Sequence, residues 1–109
     1  MRLYITRPRS GIQAVAEYNR TNKTFIVLKD SIISENISLS ERFRGAKSIT
    51  KYRVETTKGT RVIKDILFKS ASTAANFVTG TSTNGLIAWK DQNGKTLKIL
   101  LEEMEAKDE

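Results

Sequence analysis

Two short runs of alternating apolar residues, Ile12 to Tyr18 and Thr24 to Leu28, flank a polar stretch from Asn19 to Lys23, and this arrangement most constrains the fold. In the first run Ile12, Ala14, Ala16 and Tyr18 alternate with Gln13, Val15 and Glu17, which puts the two sets on opposite faces of an extended strand. The second run, Thr24-Phe25-Ile26-Val27-Leu28, is β-branched and aromatic and suits a pleated surface. Runs this close in sequence pair as an antiparallel β-hairpin. Upstream, Leu3 and Ile5 alternate with Tyr4 and Thr6, giving a further short strand that Pro8 ends.

The rest of the chain adds helices to this sheet. Asp30 to Ser40 carries three isoleucines without a usable period and reads as loop with room for a short strand. Residues 48–57 fit two patterns. Thr50, Tyr52, Val54 and Thr56 alternate as in a strand, whereas Ser48 or Thr50 suits a helix N-cap and Gly59 a helix end. Lys58-Gly59 equally suits a hairpin turn leading into Arg61-Val62-Ile63. Val62 to Phe68 reads as an apolar strand interrupted by Lys64 and Asp65. Ser70 or Ser72 then caps a helix carrying Ala74, Ala75, Phe77 and Val78, which Gly80 releases. After the polar turn Thr81 to Gly85, the run Leu86-Ile87-Ala88-Trp89 predicts a strand. Asp91, Asn93 and Gly94 predict a turn, and Thr96 caps a last helix with Leu97, Leu100, Leu101 and Met104 on one stripe.

The expected fold class is α+β: a small antiparallel sheet built on the N-terminal hairpin, with two or three short helices packed on one face. One domain over residues 1–109 is expected. Its acidic end, from about residue 102, opposes the helix dipole and is expected to fray.

Charge and composition narrow the chemistry. There is no Cys and no His, which removes disulfides, thiolates and the commonest transition-metal ligands, so no metal and no cofactor are expected. The carboxylates Glu17, Asp30, Glu35, Glu41, Glu55, Asp65 and Asp91 are scattered among polar and basic neighbours, and the glycines match no phosphate-binding loop. The chain therefore reads as a binder and not an enzyme. No apolar run is long enough to cross a bilayer and the first residues carry no signal-like core, so a cytoplasmic protein without a membrane partner is expected.

The net charge is +7, and it is unevenly placed. Through Lys69 there are 15 Lys and Arg against 6 Asp and Glu; from Ser70 onward there are 4 against 6. Arg42, Arg44, Lys47, Lys51, Arg53, Lys58, Arg61, Lys64 and Lys69 are opposed in their stretch only by Glu55 and Asp65. Such a field attracts DNA or another polyanion and is screened by salt. Lys69 with Ser70 and Ser72 at a helix start suits a phosphate, although plain capping explains a serine there equally well. Trp89 beside Lys90 suits base stacking, and a single tryptophan also suits a core. With Asn84, these residues complete the expected nucleic-acid-binding set.

The stretch from Asp65-Ile-Leu-Phe-Lys-Ser-Ala-Ser through Ala74-Ala75, Gly80, Asn84-Gly85 and Trp89-Lys90 to Gly94-Lys95-Thr96-Leu97 resembles a known family. It is similar to the small domain of unknown function found at the C-terminal end of GIY-YIG nuclease proteins and in other restriction-related proteins. Ala14 to Tyr18, followed by Phe25-Ile-Val-Leu-Lys29 and Ser31, resembles the family's strand pair, so the likeness runs from about Ala14 to Leu97. Three positions depart from its pattern: Ala71 stands for Pro, Asp30 for Gly, and Leu86 for the Trp after Asn-Gly. The resemblance implies a short helix from about Tyr52-Arg53 to Gly59. It also implies an accessory module accompanying a nuclease or methylase, with a DNA-recognition role. The alternative is a protein-interaction subunit that docks on such a partner, or on a second copy as a homodimer, through an edge strand.

Overall fold

The structure is a computed structural model that describes residues 1–38 and 46–108. Strands β1 (Arg2–Arg7), β2 (Ile12–Asn19) and β3 (Thr24–Val27) lead to helix α1 (Ala46–Thr56). The short strands β4 (Thr57–Lys58), β5 (Arg61–Val62) and β6 (Ile66–Phe68) follow, then helices α2 (Ala71–Thr79), α3 (Gly85–Ala88) and α4 (Leu97–Asp108). The main sheet has the order β1-β2-β3-β6 and is antiparallel throughout. The architecture is α+β, as the sequence predicts.

Alternation places the core. Leu3 and Ile5, Ile12, Ala14 and Ala16, Phe25 and Val27, and Ile66 and Phe68 are all buried on the helix-covered face of the sheet. Helix α2 covers that face with Ala74, Ala75, Phe77 and Val78, and α4 adds Leu97. Two aromatic contacts tie the layers together, with ring centroids 5.0 Å apart for Phe25–Trp89 and 5.3 Å for Phe68–Phe77, and Tyr18–Phe25 at 5.8 Å packs within the sheet. The other face carries Tyr4, Val15, Ile26 and Leu67, and Leu67 is 61% exposed.

Two neighbouring strands break at the same level. Val27 pairs with Ile66 and, beyond the break, Ile32 pairs with Arg61; five residue steps separate the pairs on each strand. Asp65 Oδ1 accepts the Lys29 N–H at 2.8 Å and stitches one break to the other. Asp30 bends the chain with φ of 75°, at the position where the resembled family carries Gly. Against β2 the register shifts, from Ala16–Val27 to Gln13–Ile32, so the intervening segment bulges and Val15 loses a regular ladder partner. Ser31, 2% exposed, replaces it: its hydroxyl accepts the Val15 N–H at 3.0 Å and donates to the Val15 carbonyl at 3.3 Å. Ser31→Ala leaves that buried N–H without an acceptor and is expected to cost about 2 kcal/mol, read from the urea midpoint; an unchanged midpoint would remove this account of the bulge.

The ambiguous stretch resolves as helix and not as the alternating strand, and the hairpin turn read at Lys58-Gly59 follows it. Residues 46–56 form α1, and Lys58-Gly59 then turns the β4–β5 hairpin, with Gly59 at φ of 62°. The predicted strand from Val62 to Phe68 is divided, with β5 and β6 on either side of Ile63 to Asp65. Ser70 is the N-cap of α2, its hydroxyl accepting the Thr73 N–H at 3.1 Å, and Gly80 ends that helix at φ of 75°. Thr96 begins α4, with its hydroxyl accepting the Ile99 N–H at 3.3 Å.

One expectation is corrected. Leu86 to Trp89 is not a strand, because Gly85–Ala88 forms the one-turn helix α3, capped by the Asn84 side chain on the Leu86 N–H at 3.0 Å. Tertiary contact overrides the apolar run. Gly85 lies against the Ala71 and Ser72 backbone so closely that a Cβ there would overlap Ala71. Its N–H donates to Ser72 Oγ at 3.0 Å, and Trp89 turns inward to donate from Nε1 to the Ala71 carbonyl at 3.0 Å.

Candidate functional site

The predicted binding residues are not all at the surface. Arg42 and Arg44 lie outside the described residues. Lys47 and Lys51 are exposed on α1, Lys58 on the β4–β5 hairpin, Lys64 in the strand break and Lys69 before α2. Arg61 is exposed and pairs with Asp30 at 3.3 Å. Ser70 is engaged as the α2 cap and Ser72 holds Gly85, so both hydroxyls already have internal partners.

Two members of the set belong to the interior. Trp89 is fully buried, so its ring is not offered to a base. Arg53 is 9% exposed because it lies with Ile49 and Thr56 on the inward stripe of α1. Its guanidinium donates to the Phe77 carbonyl from Nε at 3.2 Å and Nη2 at 2.7 Å, to the Ser34 carbonyl from Nη1 at 2.9 Å, and to Ser34 Oγ from Nη2 at 2.8 Å. The Phe77 carbonyl is in the last turn of α2, where orphan acceptors and the negative end of the helix dipole favour a cation. Neighbouring carbonyls are closed by loop N–H groups, Val78 by Ser34 at 2.8 Å and Gly80 by Ser38 at 2.6 Å. Burial lowers the Arg53 pKa to about 10, so the side chain remains protonated at neutral pH.

Asn84 and Lys90 do come together, in a groove of about 600 Å3. It lies along the outer edge of β1, where Tyr4 exchanges backbone hydrogen bonds of 2.7 and 3.1 Å with Lys90. Thr6, Arg7, Asn84, Ile87, Asp91 and Gln92 are among the residues that line it. Tyr4 bonds outward from β2, so by antiparallel alternation the Thr6 N–H and C=O also point to this edge. Arg7 and Lys90 carry no ion pair among the described residues. The Asp91 carboxylate is engaged in its own turn, with Oδ1 accepting the Asn93 and Lys95 N–H groups at 2.9 Å each.

Sequence reasoning did not select Arg7, Thr6 or Gln92 for this site. The pairing of Tyr4 with Lys90 creates the groove, and no local pattern announces it. A second, smaller hollow of about 240 Å3 gathers Lys23, Lys69 and Ser70 beside Tyr18 and Leu86.

No helix among the described residues is long and apolar enough to cross a membrane, and none of their His, Cys, Asp or Glu side chains form a group of three or more able to hold a metal ion. The motif that carried the resemblance is largely architectural: Ser70 caps, Ser72 and Gly85 bring α2 to α3, Trp89 docks on Ala71, and Leu97 donates to the Trp89 carbonyl at 2.8 Å. Comparison with curated proteins gives no match, and comparison with solved structures gives none. The profile of a domain of unknown function, DUF4357, matches residues 4–101, nearly the whole chain, and the chain belongs to that family.

Proposed function

We propose that the chain is a non-catalytic accessory module that binds nucleic acid, DNA in the first instance, in the cytoplasm and in the company of a nuclease or methylase. The observation that supports this reading is the β1-edge groove, where the guanidinium of Arg7 and the ammonium of Lys90 border a cleft without a paired counter-charge among the described residues. A phosphodiester chain supplies that counter-charge, and releasing its condensed cations drives association. Lys47, Lys51, Lys58, Lys64 and Lys69 add long-range attraction without needing to touch the groove. The lack of Cys and His favours binding over catalysis. The nuclease or methylase setting rests on the resemblance of the Asp65–Leu97 motif to domains that accompany such enzymes.

The test is a titration of labelled DNA at several salt concentrations. Log affinity should fall linearly with log salt, and Arg7→Gln and Lys90→Gln should each reduce the magnitude of the slope by about 0.9 for duplex DNA. A flat salt response would sink the reading. A second reading, docking on a partner protein, is favoured by Leu67, 61% exposed beside Ile26 on the sheet face opposite the helices. A stoichiometric protein partner, or a dimer in sedimentation without nucleic acid, would favour it over the first.

A further inference from the structure

We infer that the β1-edge groove receives an unpaired nucleotide, so that the module binds single-stranded nucleic acid in preference to an intact duplex. The inference rests on the nucleic-acid reading and specifies the form of ligand at that same site.

Shape is the first argument. Proteins read the duplex by inserting something convex, a helix or a two-stranded ribbon, into a major groove about 12 Å wide. The feature here is concave, and its volume of about 600 Å3 lies within the range of about 300 to 1,000 Å3 typical of small-molecule sites. A base held in a duplex cannot enter such a cleft, whereas an unstacked base can.

Chemistry is the second. A phosphate accepts hydrogen bonds but has none to donate, so cations alone would complete a phosphate site. This groove also presents acceptors and amides that suit the edge of a base. The Thr6 carbonyl and N–H face the strand edge as an adjacent acceptor and donor. The Asn84 Oδ1 is held by the Leu86 N–H, which leaves its Nδ2 as a donor. The exposed Gln92 side chain carries no hydrogen bond and offers both kinds of group. Between them Ile87, 47% exposed, and Ala88 give an apolar wall for the flat of a base. Arg7 and Lys90 then lie where the flanking phosphates need neutralising, and the single carboxylate, Asp91, is held by its own turn.

The test compares a short labelled single strand of mixed sequence with the same strand annealed to its complement, at matched ionic strength. A binder driven by phosphates alone favours the duplex, which has the higher charge density. The expected result is the reverse, with the single strand bound about tenfold more tightly. Ile87→Gln and Gln92→Ala, both at exposed positions, should each weaken single-strand binding severalfold with the salt slope unchanged. Arg7→Gln should instead reduce the slope. Duplex binding equal to or tighter than single-strand binding overturns this inference and leaves the nucleic-acid reading standing. Single-strand preference that survives both Ile87→Gln and Gln92→Ala overturns the placement in this groove. No salt-dependent binding of either ligand removes the inference together with the reading beneath it.

Discussion

Trp89→Ala should lower the unfolding free energy by about 4 kcal/mol, the largest loss expected from any single truncation in this chain. The indole is fully buried, its ring lies 5.0 Å from Phe25, and its Nε1 holds the Ala71 carbonyl. Truncation removes the buried area, opens a cavity between the sheet and α3, and strands that carbonyl. Trp89→Phe isolates part of the effect, since it keeps most of the volume and loses the hydrogen bond; about 1.5 kcal/mol is expected. Trp89 is the only tryptophan, so unfolding is followed by far-ultraviolet circular dichroism in place of fluorescence. A Trp89→Ala protein within 1 kcal/mol of the parent (about a fivefold change in the unfolding constant) would contradict the interior placement of this ring.

Arg53→Met should cost about 3 kcal/mol, although methionine is the better side chain to bury. Exchanging both partners of a buried polar contact for apolar groups is often harmless, but here the partners are the Phe77 and Ser34 carbonyls, which no substitution removes. They would be left facing an apolar chain at the end of α2. Arg53→Lys keeps the charge but not the fork that spans both carbonyls, and is expected to cost about half as much. The order parent, Lys, Met in urea midpoints is the diagnostic result. If Met equalled the parent, the guanidinium would be shown to contribute nothing to joining α1, the Ser34 loop and α2.

How much was legible in the sequence follows from the range of the interactions. The β2–β3 hairpin, the Ser70 cap and the Gly80 stop are written in neighbouring residues, and the structure places them where the patterns did. Leu86-Ile87-Ala88-Trp89 misled because its strand preference is local, while the force that curls it into α3 comes from Gly85 seated on α2. Arg53 read as one more surface cation because its position on the inward stripe with Ile49 and Thr56 appears only once the segment is known to be helical. The β1-edge groove was illegible for the same reason at longer range, since Tyr4 and Lys90 are far apart in sequence and meet only in the folded chain.

The paired interruptions of the third strand and its neighbour carry a further consequence for how the chain tolerates insertion and deletion. The polar turn from Asn19 to Lys23 can lengthen at little cost, because both strands leave it toward solvent. Between Leu28 and Ile32 there is no such freedom. A residue gained there without a matching gain between Arg61 and Ile66 would invert the facing of everything beyond, turning Ile33 or Val62 from the interior to water. The two segments behave as one joint shared by two strands, and their lengths can change only together.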